Sequence, residues 1–166
     1  MSVTCLAPNG TSFSNSWWDW RPLAEYCFTV CPALEASAHF RHWSTNDGRV
    51  TAEEAHGLAA VLRQEIASGR CLEYLQARRR AIEEAPDVHC EHCQGTGQRH
   101  HTPLSVSMNE VFRSYPTSIR VGDAYECNVC GGIGTRRPWA DHYPFEVDNV
   151  RAFADFLRKC DGFEVM

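Results

Sequence analysis

Two eight-residue segments carry the residue types best suited to chemistry. They are Cys90-Glu-His-Cys93-Gln-Gly95-Thr-Gly97 and Cys127-Asn-Val-Cys130-Gly-Gly132-Ile-Gly134, both of the form C-x-x-C-x-G-x-G. Two residues between cysteines let both sulfurs of a turn reach one ion, and glycine's access to positive φ lets backbone N–H groups swing toward those sulfurs. Two such turns complete a tetrahedral shell, so Cys90, Cys93, Cys127 and Cys130 are predicted to hold one structural zinc ion. A closed four-thiolate shell has no open position at which to activate water. His89, His92, His100 and His101 lie close by in sequence, which leaves a shell of three cysteines and one histidine as the alternative.

The remaining candidates are more scattered. Trp17, Trp18, Trp20 and Arg21 are the residue types that dominate protein–protein hot spots and could contact a partner, although tryptophan packs into cores at least as readily. Arg99, His100, His101, Arg113, Arg120, Arg136 and Arg137 around the two cysteine turns suggest a nucleic-acid-binding zinc ribbon instead. The formal net charge of -5 opposes that reading, because phosphate backbones attract basic domains. An enzyme would need a nucleophile and base: His39 and His42 with Asp47, or His142 with Asp141, can be drawn together, but each fits an ordinary surface or core histidine better. Cys27 and Cys31 read as core residues.

The elements that must position these residues follow from periodicity and end signals. With 166 residues and 43% hydrophobic content, one domain spanning 1–166 can bury a core, with 87–138 as a zinc-knuckle subdomain inside it. A helix is predicted from about Pro22 to Val30, with Leu23, Tyr26, Cys27 and Val30 inward, and a second from Ala33 to Phe40. Trp43 to Arg49 reads as a turn through Asn46-Asp47-Gly48. Thr51-Ala-Glu-Glu54 is a capping box opening a helix that Gly69 ends; a further helix from Cys71 to Glu84 carries Leu72, Leu75 and Ile82. Between the cysteine turns, Leu104 to Met108 and Ser118 to Gly122 alternate as short strands do and predict a hairpin. Asp148 is placed to cap a last helix with Val150, Phe153, Phe156 and Leu157 inward, after which Phe163-Glu-Val-Met166 could form a strand. The expected fold is α+β: a small helical core with an inserted zinc-knuckle β-hairpin.

Nine cysteines, an odd number, fit metal binding in a reducing compartment better than a disulfide framework. The first ten residues lack the basic and apolar regions of a secretory leader, and no apolar run is long enough to span a membrane, so a cytoplasmic protein is expected.

The cysteine turns resemble the cysteine-rich region of DnaJ-type co-chaperones over residues 88–135, though only two repeats stand here and no His-Pro-Asp tripeptide of a J-domain occurs. A wider resemblance joins Trp17-Trp18-Asp-Trp20-Arg21-Pro22-Leu23, Trp43-Ser-Thr-Asn46-Asp47-Gly48, both cysteine turns, Arg137-Pro138-Trp139 and Tyr143-Pro144-Phe145. It is to small proteins of bacteriophages and high-GC bacteria. That resemblance implies a phage or mobile-element origin and no established activity; the cysteine turns and the tryptophan segment point to a non-enzymatic protein that binds a protein partner, and analogy with phage accessory proteins of this size extends this to an inhibitor of a host or defence (anti-CRISPR-like) system.

Overall fold

The computed structural model describes residues 2–32, 49–112, 119–138 and 142–166. In chain order its elements are β1 (Ser2–Leu6), β2 (Ser12–Ser16), α1 (Trp17–Val30), β3 (Arg49–Val50), α2 (Ala52–Ala67) and α3 (Arg70–Glu84). Then follow β4 (Val88–His89), β5 (Gln98–His100), α4 (Pro103–Phe112), β6 (Ala124–Glu126), β7 (Thr135–Arg136), α5 (Val147–Lys159) and β8 (Phe163–Val165). The fold is α+β, and the chain divides into two compact units: Met1–Glu83 with Trp139–Met166, and Glu84–Pro138.

The first unit is built on an antiparallel sheet of order β2-β1-β8-β3. Val3, Cys5, Val50, Phe163 and Val165 alternate inward from its strands, and α1, α2 and α5 supply the facing apolar stripes. Phe153 of α5 is fully buried, with its ring centre 5.0 Å from that of Phe13, 5.7 Å from that of Trp20, which it meets edge to face, and 6.1 Å from that of Phe163. Truncating it removes a large aromatic from a site that neighbours on three elements enclose. Phe153→Ala is expected to cost about 3–5 kcal/mol, read as a lowered thermal midpoint of this unit.

The sequence pattern locates the helices here and misplaces some of their ends. α2 carries the predicted capping box: Thr51 Oγ1 accepts from Glu54 N, and the Glu54 carboxylate accepts from Thr51 N. Gly69 follows its end with φ +83. In contrast, α1 starts at Trp17, not Pro22. Ser16 is the cap, its hydroxyl accepting from Asp19 N and donating to the Asp19 carboxylate at 2.6 Å, so Pro22 lies inside the helix. α5 starts at Val147 from Glu146, which caps with backbone alone, and Asp148 sits in the first turn, where its charge suits the helix N-terminus. On α3 the buried stripe is Cys71 and Leu75, and Leu72 is half exposed, because it lies about 100° round the helix from Cys71. The helix predicted at Ala33 to Phe40 and the turn at 43–48 lie outside the described residues. The β1–β2 hairpin was not predicted; Asn9 turns it by accepting from Thr11 N, and Gly10 takes φ +83.

The second unit contains two short ribbons, β4 with β7 and β5 with β6. The hairpin between the cysteine turns is present, but not where it was predicted. Leu104 to Met108 belong to α4, and residues 119–122 form no strand. Thr102 and Ser105 cap α4 reciprocally, with Ser105 N donating to Thr102 Oγ1 and Thr102 N donating to Ser105 Oγ, while Pro103 occupies the first helical position. Those start signals outweigh a five-residue alternation.

Candidate metal centre

Each cysteine turn follows a strand and leads into another: β4 runs into Cys90 and β6 into Cys127, while β5 and β7 follow the terminal glycines. The repeats are offset by 37 residues, and the same offset relates their strand pairings. Val88 pairs with Arg136, and the positions 37 residues along, Tyr125 and Arg99, pair with each other. The hydrogen bonds obey the same rule. Cys90 N donates to Gly134 O and Cys127 N to Gly97 O, both at 2.9 Å, while Gly95 N and Gly132 N each donate to the carbonyl of their own first cysteine at 3.2 Å. The unit is thus an internal pseudo-twofold pair in which each repeat closes the other.

That closure depends on glycine at two positions. Gly97 and Gly134 have φ of +74° and +87°, and a Cβ on either would lie 2.0 Å from the Gly132 carbonyl oxygen or 2.3 Å from that of Gly95. The backbones of the two repeats therefore meet with no room for a side chain.

All four thiols are buried, and their sulfurs lie within 4.8 Å of one another. Cys90 and Cys127 Sγ are 3.8 Å apart, and Cys93 and Cys130 Sγ 3.7 Å. A regular tetrahedron with metal–sulfur bonds of about 2.3 Å has edges of about 3.8 Å, so the arrangement fits one four-coordinate ion. It is far too open for disulfides, and all four cysteines are free.

The local electrostatics favour a thiolate at Cys127 and Cys93 and oppose one at Cys90. Burial pushes the Cys90 thiol up to about 11. At Cys127 burial acts in the same sense, but the amides of Cys130 and Val129 and the thiols of Cys130 and Cys90 outweigh it and bring the group down to about 7. Cys93 is likewise lowered against its burial, by the Gly97 amide, the Cys90 and Cys130 thiols and the Gly95 amide. Gly134 N donates to Cys130 Sγ at 3.3 Å. Amide donors of this kind orient metal-bound sulfur and offset its charge.

Two of the neighbouring histidines are engaged elsewhere. His101 is buried, stacks on Tyr125 at 4.3 Å between ring centres, and lies 3.3 Å from Ser105 Oγ through Nδ1. His100 Nδ1 is 3.0 Å from Gly122 O. Neither these nor His89 and His92 join the four sulfurs, so the cluster is made of cysteine alone.

The basic residues beside the turns largely serve the unit itself. Arg99 lies over the Tyr125 ring at 5.7 Å, and Arg137 donates to the Ala85 carbonyl and pairs with Asp87 at 3.5 Å. Residues 84–138 hold five arginines against six carboxylates, so the segment carries no net positive charge to attract phosphates.

The tryptophan segment splits three ways. Trp20 is buried in the core of the first unit and drops out of the candidate contact surface. Trp17 is half-buried against that core. Trp18 is 47% exposed and tilts against Tyr143 at 5.2 Å, while the Arg21 guanidinium lies over the same ring at 5.2 Å. Tyr143 is held by its backbone, since Arg78 donates to its carbonyl at 3.3 Å, and by Phe145 two residues on, which is buried against Tyr26 and Tyr74. Sequence reasoning assigned Tyr143 no role; the one available signal was its place in an aromatic Tyr-Pro-Phe loop.

Cys27 is fully buried in the same core and Cys31 packs against it, as predicted. Of the residues considered for catalysis, His142 is exposed, and His39, His42, Asp47 and Asp141 lie outside the described residues. No helix among the described residues is long and apolar enough to cross a membrane. No family model, curated protein or solved structure matches this chain, so the reading of the centre rests on its own geometry.

Proposed function

We propose that the protein is a non-enzymatic binding protein in which Cys90, Cys93, Cys127 and Cys130 hold one structural zinc ion and the surface around Trp18 meets a protein partner. The observation that carries this reading is the closed shell of four buried sulfurs with edges of 3.7 and 3.8 Å. Four-thiolate coordination of that size suits zinc and leaves no position for substrate or water, so the metal would maintain shape and the activity would lie on a surface. Trp18, Arg21 and Tyr143 supply such a surface: three residue types enriched in hot spots, ordered before any partner arrives. The resemblance to phage proteins directs the search for that partner to bacterial host proteins, including defence systems.

Two measurements test it. Elemental analysis of the purified protein should find one zinc per chain, removable by a strong chelator. A host protein captured from a bacterial lysate should then form a stoichiometric complex with the purified chain. Trp18→Ala should leave the melting temperature unchanged, because the side chain is half exposed, and weaken that complex at least about 30-fold, the loss of a hot spot worth roughly 2 kcal/mol. A complex that Trp18→Ala does not weaken removes this surface from the reading.

A further inference from the structure

We infer that the surface between α2 and α5 binds the phosphate group of a small phosphorylated molecule through Arg63, Arg158 and His56. These three side chains, with Ala59 and Ala60, line one open cavity of about 270 Å³ in the first unit. Every ionisable group lining it is basic, and no carboxylate contributes to its wall.

The chain as a whole is acidic, and carboxylates neutralise seven of its arginines. Its net charge is -5, and the arginines at 21, 49, 70, 78, 79, 137 and 151 each pair with a carboxylate. Arg63, Arg158 and His56 pair with none among the described residues. Asp155 stands one turn before Arg158 on α5 and makes no ion pair with it.

The placement is also specific. His56, Ala59, Ala60 and Arg63 occupy positions i, i+3, i+4 and i+7 of α2, which is one face of a helix. Arg158 arrives from the last turn of α5, the helix that packs most extensively on α2. The carbonyl end of α5 accounts for a cation at 158 but not for two more on α2.

Guanidinium groups offer planar paired donors that match phosphate oxygens, and two of them facing one cavity suit a doubly charged oxyanion. The two alanines leave an apolar floor for the uncharged remainder of the ligand. The volume lies just below the usual range of about 300–1,000 Å³ for small-molecule pockets, and the acidic chain repels a long polyanion. A small phosphate ester satisfies all of these conditions. The inference does not depend on the metal centre or on the Trp18 surface.

The test is a titration of the intact metal-loaded protein with inorganic phosphate and with phenyl phosphate, at ionic strength held constant with sodium chloride and followed by amide NMR shifts. Saturable shifts are expected at His56, Ala59, Ala60, Arg63 and Arg158, with phenyl phosphate the tighter ligand. Arg63→Gln and Arg158→Gln, both exposed, should melt like the parent and each weaken binding about tenfold, one charge-assisted contact. Arg80→Gln removes another guanidinium that holds no carboxylate, on α3, and should change nothing. The inference fails if the shifts grow without saturation, if chloride alone reproduces them, or if Arg80→Gln weakens binding as much as Arg63→Gln. It fails equally if a single-stranded oligonucleotide binds where neither phosphate nor phenyl phosphate does.

Discussion

Cys93→Ser is expected to abolish stoichiometric zinc binding and unfold residues 84–138 while leaving the first unit folded. The four sulfurs form the buried centre of the unit, and among its described apolar side chains Leu104, Val121 and Ile133 are all largely exposed. A structural zinc site of this type contributes about 10–16 kcal/mol of apparent binding energy in small peptides, and that energy is folding energy. Serine offers a weak, protonated oxygen in place of a thiolate. Loss of a direct ligand should exceed the roughly 10- to 100-fold drop in metal affinity seen when only an outer partner is removed. Amide NMR would show peaks from Glu84–Pro138 collapsing toward random-coil positions, with those from Met1–Glu83 and Trp139–Met166 little moved. A strong chelator added to the wild type should reproduce the same pattern. A Cys93→Ser protein that kept its zinc and its spectrum would sink the metal assignment.

Gly97→Ala, which keeps every sulfur, is expected to be nearly as damaging. At φ +74 an L-residue pays roughly 1–2 kcal/mol of steric strain. The larger effect is the contact: the new methyl would sit 2.0 Å from the Gly132 carbonyl oxygen, a backbone atom that cannot rotate aside. Separating the two strands to relieve it breaks the bond from Cys127 N to Gly97 O, and Cys127 is itself a proposed ligand. The expected cost is at least about 3 kcal/mol, with weaker metal retention measured by competition against a chelator. Gly131→Ala provides the contrast within the same unit. Its φ is +56, but a Cβ there meets nothing within 4 Å, so only the conformational strain should appear. Equal losses in the two variants would mean that the interlocking of the repeats is not what the glycines serve.

The sequence made the four-cysteine cluster legible residue by residue, because four cysteines and four glycines in two matched frames leave little freedom in how they combine. It made α2 and the inward face of α5 legible for the same reason, since capping and periodicity agree there. The insert was misread because Leu104-Ser-Val-Ser-Met108 alternates like a strand, whereas Thr102, Pro103 and Ser105 together dictate a helix start. The β1–β2 hairpin was illegible because Ser12-Phe-Ser-Asn-Ser16 has a single apolar residue, and its strand character depends on pairing with β1 and not on its own pattern. The pseudo-twofold closure could not be read at all. It depends on carbonyls meeting glycine Cα positions across the repeats, a contact between backbones that leaves no trace in side-chain chemistry beyond the glycines themselves. The cations at 56, 63 and 158 stayed equally hidden, being more than ninety positions apart at their extremes and joined only by the packing of α5 on α2.

Pairing of β4 with β7 sets Val88 directly opposite Arg136, so the chain closes on itself a few residues inside each end of the Glu84–Pro138 unit, at a cross-strand distance of about 5 Å. The chain enters and leaves the four-cysteine unit along this one paired stem. Within that stem, the connection between the two cysteine turns can change length at little cost, since doubling a flexible connection adds only about 0.6 kcal/mol of closure entropy. The unit is in this sense a cassette, held shut by its own strand pairing.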